Sequence, residues 1–134
     1  MASDVVLLEQ TGDLILTQTE RTALQLAPIP IGRSYLISAK GNIFASNSRA
    51  TVVLDAFGEK DSADIGFSEK QGQASFSLVV GVSLPNDEDL FTVAKVTGTS
   101  KSFVGGPETG LAVLKGVKLV VLAVDSMAVT KVSG

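Results

Sequence analysis

Across residues 73–84 every second side chain is apolar. Ala74, Phe76, Leu78, Val80, Val82 and Leu84 fall on one parity, and Gln73, Ser75, Ser77 and Ser83 on the other. A β-strand sends successive side chains to opposite faces, so this period puts one face in a core and the other in water. A helix would need apolar residues at three- and four-residue spacing, and no window of about ten residues carries that pattern cleanly. The chain is therefore expected to be all-β.

The same alternation recurs. In residues 49–57, Ala50, Val52, Leu54 and Ala56 oppose Thr51, Val53, Asp55 and Phe57; in residues 34–44, Tyr35, Ile37, Ala39, Gly41 and Ile43 oppose Ser38, Lys40 and Asn42. Shorter strands are expected at 5–9, 14–17, 22–26, 62–67 and 90–97. Thr11-Gly12-Asp13 has the composition of a hairpin turn between the first two. Breaks fall at Pro28, Pro30 and Gly32, at Ser46-Asn47-Ser48, at residues 58–61, at Lys70-Gln71-Gly72 and at residues 85–89. About eight to nine strands are too many for one open sheet of this length to bury a core alone. Two antiparallel sheets packed face to face, or a closed barrel, are the stable solutions for such a pattern. A chain of 134 residues suits one such domain. Its N-terminal strands span 1–27, its core 28–125 and its tail 126–134.

Residues 117–124 break the rule of one apolar face. Val117, Leu119, Val121 and Ala123 are apolar, and so are Val120, Leu122 and Val124 of the opposite parity. One face enters the core, and the other needs cover from the chain's own termini, such as residues 5–8 or 127–129, or from a neighbouring subunit. Val117, Leu119, Val120, Val121 and Leu122 are thus the candidate subunit contacts. The composition, 45% hydrophobic and 19% charged, fits a chain that hides apolar surface against another copy, although abundant Val and Ala also raise the average.

The order of elements resembles the tumour-necrosis-factor-like jelly rolls, including the short versions in bacterial surface proteins and phage structural proteins. The likeness covers about residues 28–125. Pro30-Ile31-Gly32-Arg33-Ser34-Tyr35-Leu36-Ile37 opens it, and Asn47-Ser48-Arg49-Ala50-Thr51-Val52-Val53-Leu54 follows. Gln73-Ala74-Ser75-Phe76-Ser77-Leu78 continues it, and Val117-Lys118-Leu119-Val120-Val121-Leu122 closes it. These are patterns of spacing and turn chemistry that immunoglobulin-like sandwiches and carbohydrate-binding modules partly share. The resemblance implies a jelly-roll-type sandwich, frequent homotrimers and function by surface recognition, and it carries over no catalytic residue.

Catalytic chemistry has few side chains to use, because His and Cys are both absent. The nearest carboxylate pairs, Asp61 with Asp64 and Asp55 with Glu59, sit in polar segments where solvated charge is the ordinary state. Gly105, Gly106 and Gly110 do not form a phosphate-binding fingerprint. Asn86, Asp87 and Asp89 offer oxygen ligands for Ca²⁺ without the spacing of an EF-hand loop. No enzyme, metal or cofactor is expected. A net charge of −3 disfavours nucleic acid, and the longest apolar run, residues 119–124, is far short of the roughly 20 residues of a membrane helix. Nothing after Met1-Ala2-Ser3-Asp4 reads as a secretion signal, so synthesis in the cytoplasm is expected.

What remains is recognition. The loop expected over residues 101–110 places Phe103 beside Lys101 and Glu108 as candidate partner contacts, with Asp87 and Asp89 in the preceding loop; Phe103 folding back as a plug is the alternative. The expected function is that of a homotrimeric structural subunit bound to a larger protein assembly, such as a capsid decoration or tail-tip component on a virion surface. A glycan-binding jelly-roll module is the rival, weakened by the absence of Trp and the single Tyr.

Overall fold

The structure, a computed structural model, describes residues 5–30, 34–56, 59–68, 72–83, 91–102 and 112–123. These form β1 (Val5–Glu9), β2 (Leu14–Leu16), β3 (Arg21–Pro30), β4 (Ser34–Ala45), β5 (Ser48–Ala56), β6 (Glu59–Phe67), β7 (Gly72–Ser83), β8 (Phe91–Ser102) and β9 (Ala112–Ala123). No helix occurs among the described residues. One sheet runs β1-β9-β4-β7, with β2 also paired to β9, and the other runs β3-β8-β5-β6.

Every pairing is antiparallel, and the pairings nest. β5 pairs with β6, β4 with β7 outside them, β3 with β8 outside those, and β1 and β2 with β9 outermost. The chain is thus a long antiparallel ribbon, and the lateral contacts β4 to β9 and β5 to β8 roll it into two sheets. That is the jelly roll, and of the two solutions the alternation allows, the sandwich is the observed fold.

The alternation also sets the core. Tyr35, Ile37, Ala39 and Ile43 of β4 are buried, as are Ala50, Val52, Leu54 and Ala56 of β5 and Phe76, Leu78, Val80 and Val82 of β7. From the same β7, Gln73, Ser75 and Ser77 face outward. Packing between the sheets is tight enough to exclude a single carbon at one position. A Cβ on Gly98 of β8 would lie 2.7 Å from a methyl of Leu16 and 3.1 Å from a methyl of Leu114, both in the opposite sheet. Gly98 is therefore the hole that the Leu16 and Leu114 methyls fill.

Four local expectations are corrected. Thr11-Gly12-Asp13 is no hairpin turn, because β1 and β2 do not pair with each other; both lie along one edge of β9, at residues 118–122 and 112–114. Between them, residues 9 to 14 run beside 118 to 114, so the β1–β2 side carries one extra residue. Gln10 fills the irregularity: its backbone N–H donates to the Val117 carbonyl (2.8 Å), and its side chain donates to the Leu114 carbonyl (3.0 Å) and accepts from the Val117 N–H (3.1 Å). Opposite, Gly116 has a φ of 62°, and β9 gains a residue against β4 between Lys40 and Asn42, a bulge built on glycine.

Pro28 and Pro30 lie inside β3 instead of ending a segment before β4. β3 is an edge strand whose register shifts between Leu26 and Ile29, and an edge tolerates the missing N–H donors. Residues 59–61 belong to β6, paired with 54–56, so the break there is shorter than its polar composition implies. Finally, β8 continues through Lys101 and Ser102, which pair with Arg49 and Ser48, so these two residues of the expected loop are strand. Leu84 and Phe57 lie outside the described residues.

Both rims of the sandwich are tied. At one, the Ser100 N–H donates to the Thr17 carbonyl (2.8 Å) and its hydroxyl to the Leu16 carbonyl (3.0 Å). At the other, the Asp61 carboxylate accepts from the Val79 N–H of edge strand β7 at 2.9 Å. A carboxylate on that edge occupies a donor that another strand would otherwise use.

Two tests follow from the register. Phe76→Ala is expected to lower unfolding free energy by about 3–5 kcal/mol and Ser77→Ala by under about 0.5; equal effects in urea titrations would contradict the assigned faces. Gln10→Ala leaves the Leu114 carbonyl and the Val117 N–H without their side-chain partner and is expected to cost about 1–2 kcal/mol in the same measurement.

Candidate functional site

Each sheet has a second face, turned away from the core, and the two differ in chemistry. In the β3-β8-β5-β6 sheet, β6 presents Lys60, Ser62, Asp64 and Gly66, register partners of Asp55, Val53, Thr51 and Arg49 on β5. β8 continues the rows with Lys95, Thr97, Thr99 and Lys101. Only Val53 among these is apolar. Arg49 pairs with Asp64 at 3.0 Å and Lys60 with Asp55 at 3.9 Å, surface pairs of small worth. A shallow depression of about 440 Å³ lies among Gln18, Arg49, Thr51, Thr99, Ser100 and Lys101.

The outer face of the β1-β9-β4-β7 sheet is apolar at both ends. Register places Val5, Leu122, Leu36 and Gly81 in one row across the four strands, and Leu7, Val120, Ser38 and Val79 in the next. Val5 is 56% exposed, Leu7 54%, Val79 48% and Leu36 41%, large values for side chains of this kind. Ile15, Val113 and Phe44 form a second apolar row at the other end, with Ile15 and Phe44 exposed. Between the two zones runs a polar band: Glu9, Lys118, Lys40 and Ser77 in register, then Asn42 and Ser75, with Lys115 and Asp13 beside them.

The charges in this band are mostly matched within it. Lys118 Nζ lies 3.9 Å from Glu9 and Lys115 Nζ 3.5 Å from Asp13, while Lys115 also sits 4.9 Å from the centre of the Phe44 ring. A depression of about 450 Å³ opens beside Gly116, between Lys40 and Lys118.

The structure divides the contact residues expected on β9. Val117, Leu119 and Val121 are wholly buried in the sandwich core, so they are not available to a neighbouring subunit; the pleat sends only Val120 and Leu122 to the outer face. The cover expected from residues 5–8 does not form either, because β1 extends the sheet sideways and adds Val5 and Leu7 to the uncovered surface. Residues 127–129 lie outside the described residues. Sequence reasoning missed Val5, Leu7, Leu36 and Val79 as one surface, since they become neighbours only through pairing with β9 and β4.

Lys101 is exposed, on a strand opposite Arg49. Phe103, Glu108, Asp87 and Asp89 lie outside the described residues, as do Asn86 and Gly105, Gly106 and Gly110. The carboxylate pairs are not brought together. Asp61 and Asp64 occupy opposite parities of β6, with Asp61 turned to Val79 and Asp64 to Arg49, and Asp55 and Glu59 are likewise split between faces. Among the described residues no group of three or more acidic side chains is placed to hold a metal. No protein-family model, no curated protein and no solved structure matches the chain.

The two faces of β9 are separable by one charge each. Val121→Asp buries an unpaired carboxylate and is expected to unfold the subunit, losing about 4 kcal/mol or more, whereas Val120→Asp keeps the fold at a cost under about 1 kcal/mol. Circular dichroism and urea titration of the two variants check this; unfolding by both would contradict the assignment of Val120 to the outer face.

Proposed function

We propose that the chain is a non-enzymatic assembly subunit that associates with copies of itself through the outer face of the β1-β9-β4-β7 sheet. The observation that carries this reading is the pair of apolar zones on that face, set against a second sheet whose outer face is polar. Monomers rarely leave contiguous apolar surface of this kind in water. The occupant is a second copy for reasons of size and charge. Four strands about 4.8 Å apart and twelve residues of about 3.3 Å give a face near 760 Å², close to the ~800 Å² per partner of a standard interface. Two of the three lysines described on it are already paired with its own carboxylates, so burial leaves one charge, Lys40, to be matched.

The tumour-necrosis-factor-like jelly rolls that the chain resembles imply a homotrimer, and the trimer is the assigned state. In such a trimer the polar sheet points outward and stays free for recognition. The role assigned is that of a small virion accessory subunit, a capsid decoration or tail-tip component made in the cytoplasm and bound to a larger protein assembly. Repeated weak contacts from several copies on a symmetric particle hold by avidity. A glycan-binding module is the second reading, favoured by the hydroxyl- and cation-lined depression at Gln18, Arg49, Thr51 and Lys101.

Light scattering at micromolar concentration is expected to give the mass of three subunits, and Leu7→Glu is expected to give folded monomers. A wild-type mass of one subunit would remove the assembly reading. Co-sedimentation with candidate particles, set against a glycan array, separates the two roles: sugar binding without particle association favours the second.

A further inference from the structure

The polar band on the assembly face carries a surplus charge, and its place is specific. Lys115 and Lys118 are matched by Asp13 and Glu9, whereas Lys40 has no carboxylate within ion-pair distance among the described residues. Lys40 also stands directly opposite Lys118 in register, and like charges in that position repel. Among the described residues, three lysines against two carboxylates leave this face at +1 on a chain whose net charge is −3. Lys40 and Lys118 both line the depression of about 450 Å³, together with Gly41, Asn42, Ser75, Phe76, Ser77 and Gly116. The Ser75 hydroxyl donates to Asn42 Oδ1 at 3.0 Å, which leaves the amide nitrogen as the donor end of Asn42.

We propose that this depression is an anion site, taking a small free oxyanion of the phosphate class between Lys40 and Lys118, and that filling it tightens the self-contact. The inference rests on the assembly reading. Burying an ammonium group without a counter-charge is penalised heavily, and the described residues supply no third carboxylate in the band. In a trimer the surplus triples, and the copies meet on the face that carries it. An oxyanion supplies the missing charge and accepts hydrogen bonds from the lysines and the Asn42 amide.

The test measures self-association in chloride and in millimolar inorganic phosphate at constant ionic strength. Phosphate strengthens apolar burial in general, so Lys40→Met, which removes the surplus charge and keeps the apolar stem, serves as the control. Wild type is expected to associate at least tenfold more tightly in phosphate, and Lys40→Met to associate in chloride as tightly as wild type does in phosphate, with a response under twofold. Equal association of wild type in both buffers, or a full phosphate response in Lys40→Met, would overturn the site and leave the assembly reading standing. If wild type is monomeric in both buffers, amide shifts of Lys40, Gly116 and Lys118 that saturate with phosphate keep the site and remove the assembly reading. No such shifts would overturn the site as well.

Discussion

The pleat of the β-strand divides every strand of this chain into two sets of side chains, and a two-sheet sandwich has room for only one set from each sheet. The dry layer is filled by Tyr35, Ile37, Ile43, Leu54, Leu114 and Leu119 among small partners such as Ala39, Ala50, Ala94 and Ala112. Gly98 gives way entirely so that Leu16 and Leu114 can close the gap. Because the two inner faces complete the core between them, the remaining face of each sheet answers to another requirement. One is polar and ion-paired, and the other ends in two apolar zones that no described segment covers.

That division explains how much could be read in advance. β4, β5 and β7 are legible because their two parities differ in polarity, and polarity difference is what periodicity detects. β9 is only half legible. Its doubly apolar run announces that both faces call for cover, but the residue that decides which parity goes inward is Gly116, whose bulge shifts the alternation between Leu114 and Val117. Val5 to Leu8 are all apolar, so period alone gave no face for β1, and a turn-like Thr11-Gly12-Asp13 suggested a hairpin where the chain continues along the same edge. The prolines of β3 read as breaks in the sequence because edge position, which makes them tolerable, is a property of the whole sheet.

The candidate face was the least legible feature for a related reason. Its apolar zones are assembled from one to three residues on each of five strands, far apart in sequence, and no single strand except β9 carries a signal for them. Its polar band is equally non-local, with Glu9, Lys40 and Lys118 meeting from three strands. Such a surface differs from a core in one physical respect: it contains paired charges, which in the proposed assembly would keep the free subunit soluble and fix the register of the copies. The mixture of two apolar zones with a nearly neutralised band fits reversible association better than a permanent core.

The central claim is that this face, and not the polar face of the other sheet, is covered by another copy. The chain has no cysteine, so single thiols placed at Val79→Cys and Thr51→Cys report on the two faces without background. The rate of reaction with a bulky thiol reagent is the direct measurement. At high protein concentration the Val79→Cys thiol is expected to react at least tenfold more slowly than the Thr51→Cys thiol, and dilution is expected to bring the two rates together while that of Thr51→Cys stays constant. Equal rates for the two thiols at every concentration would contradict the account.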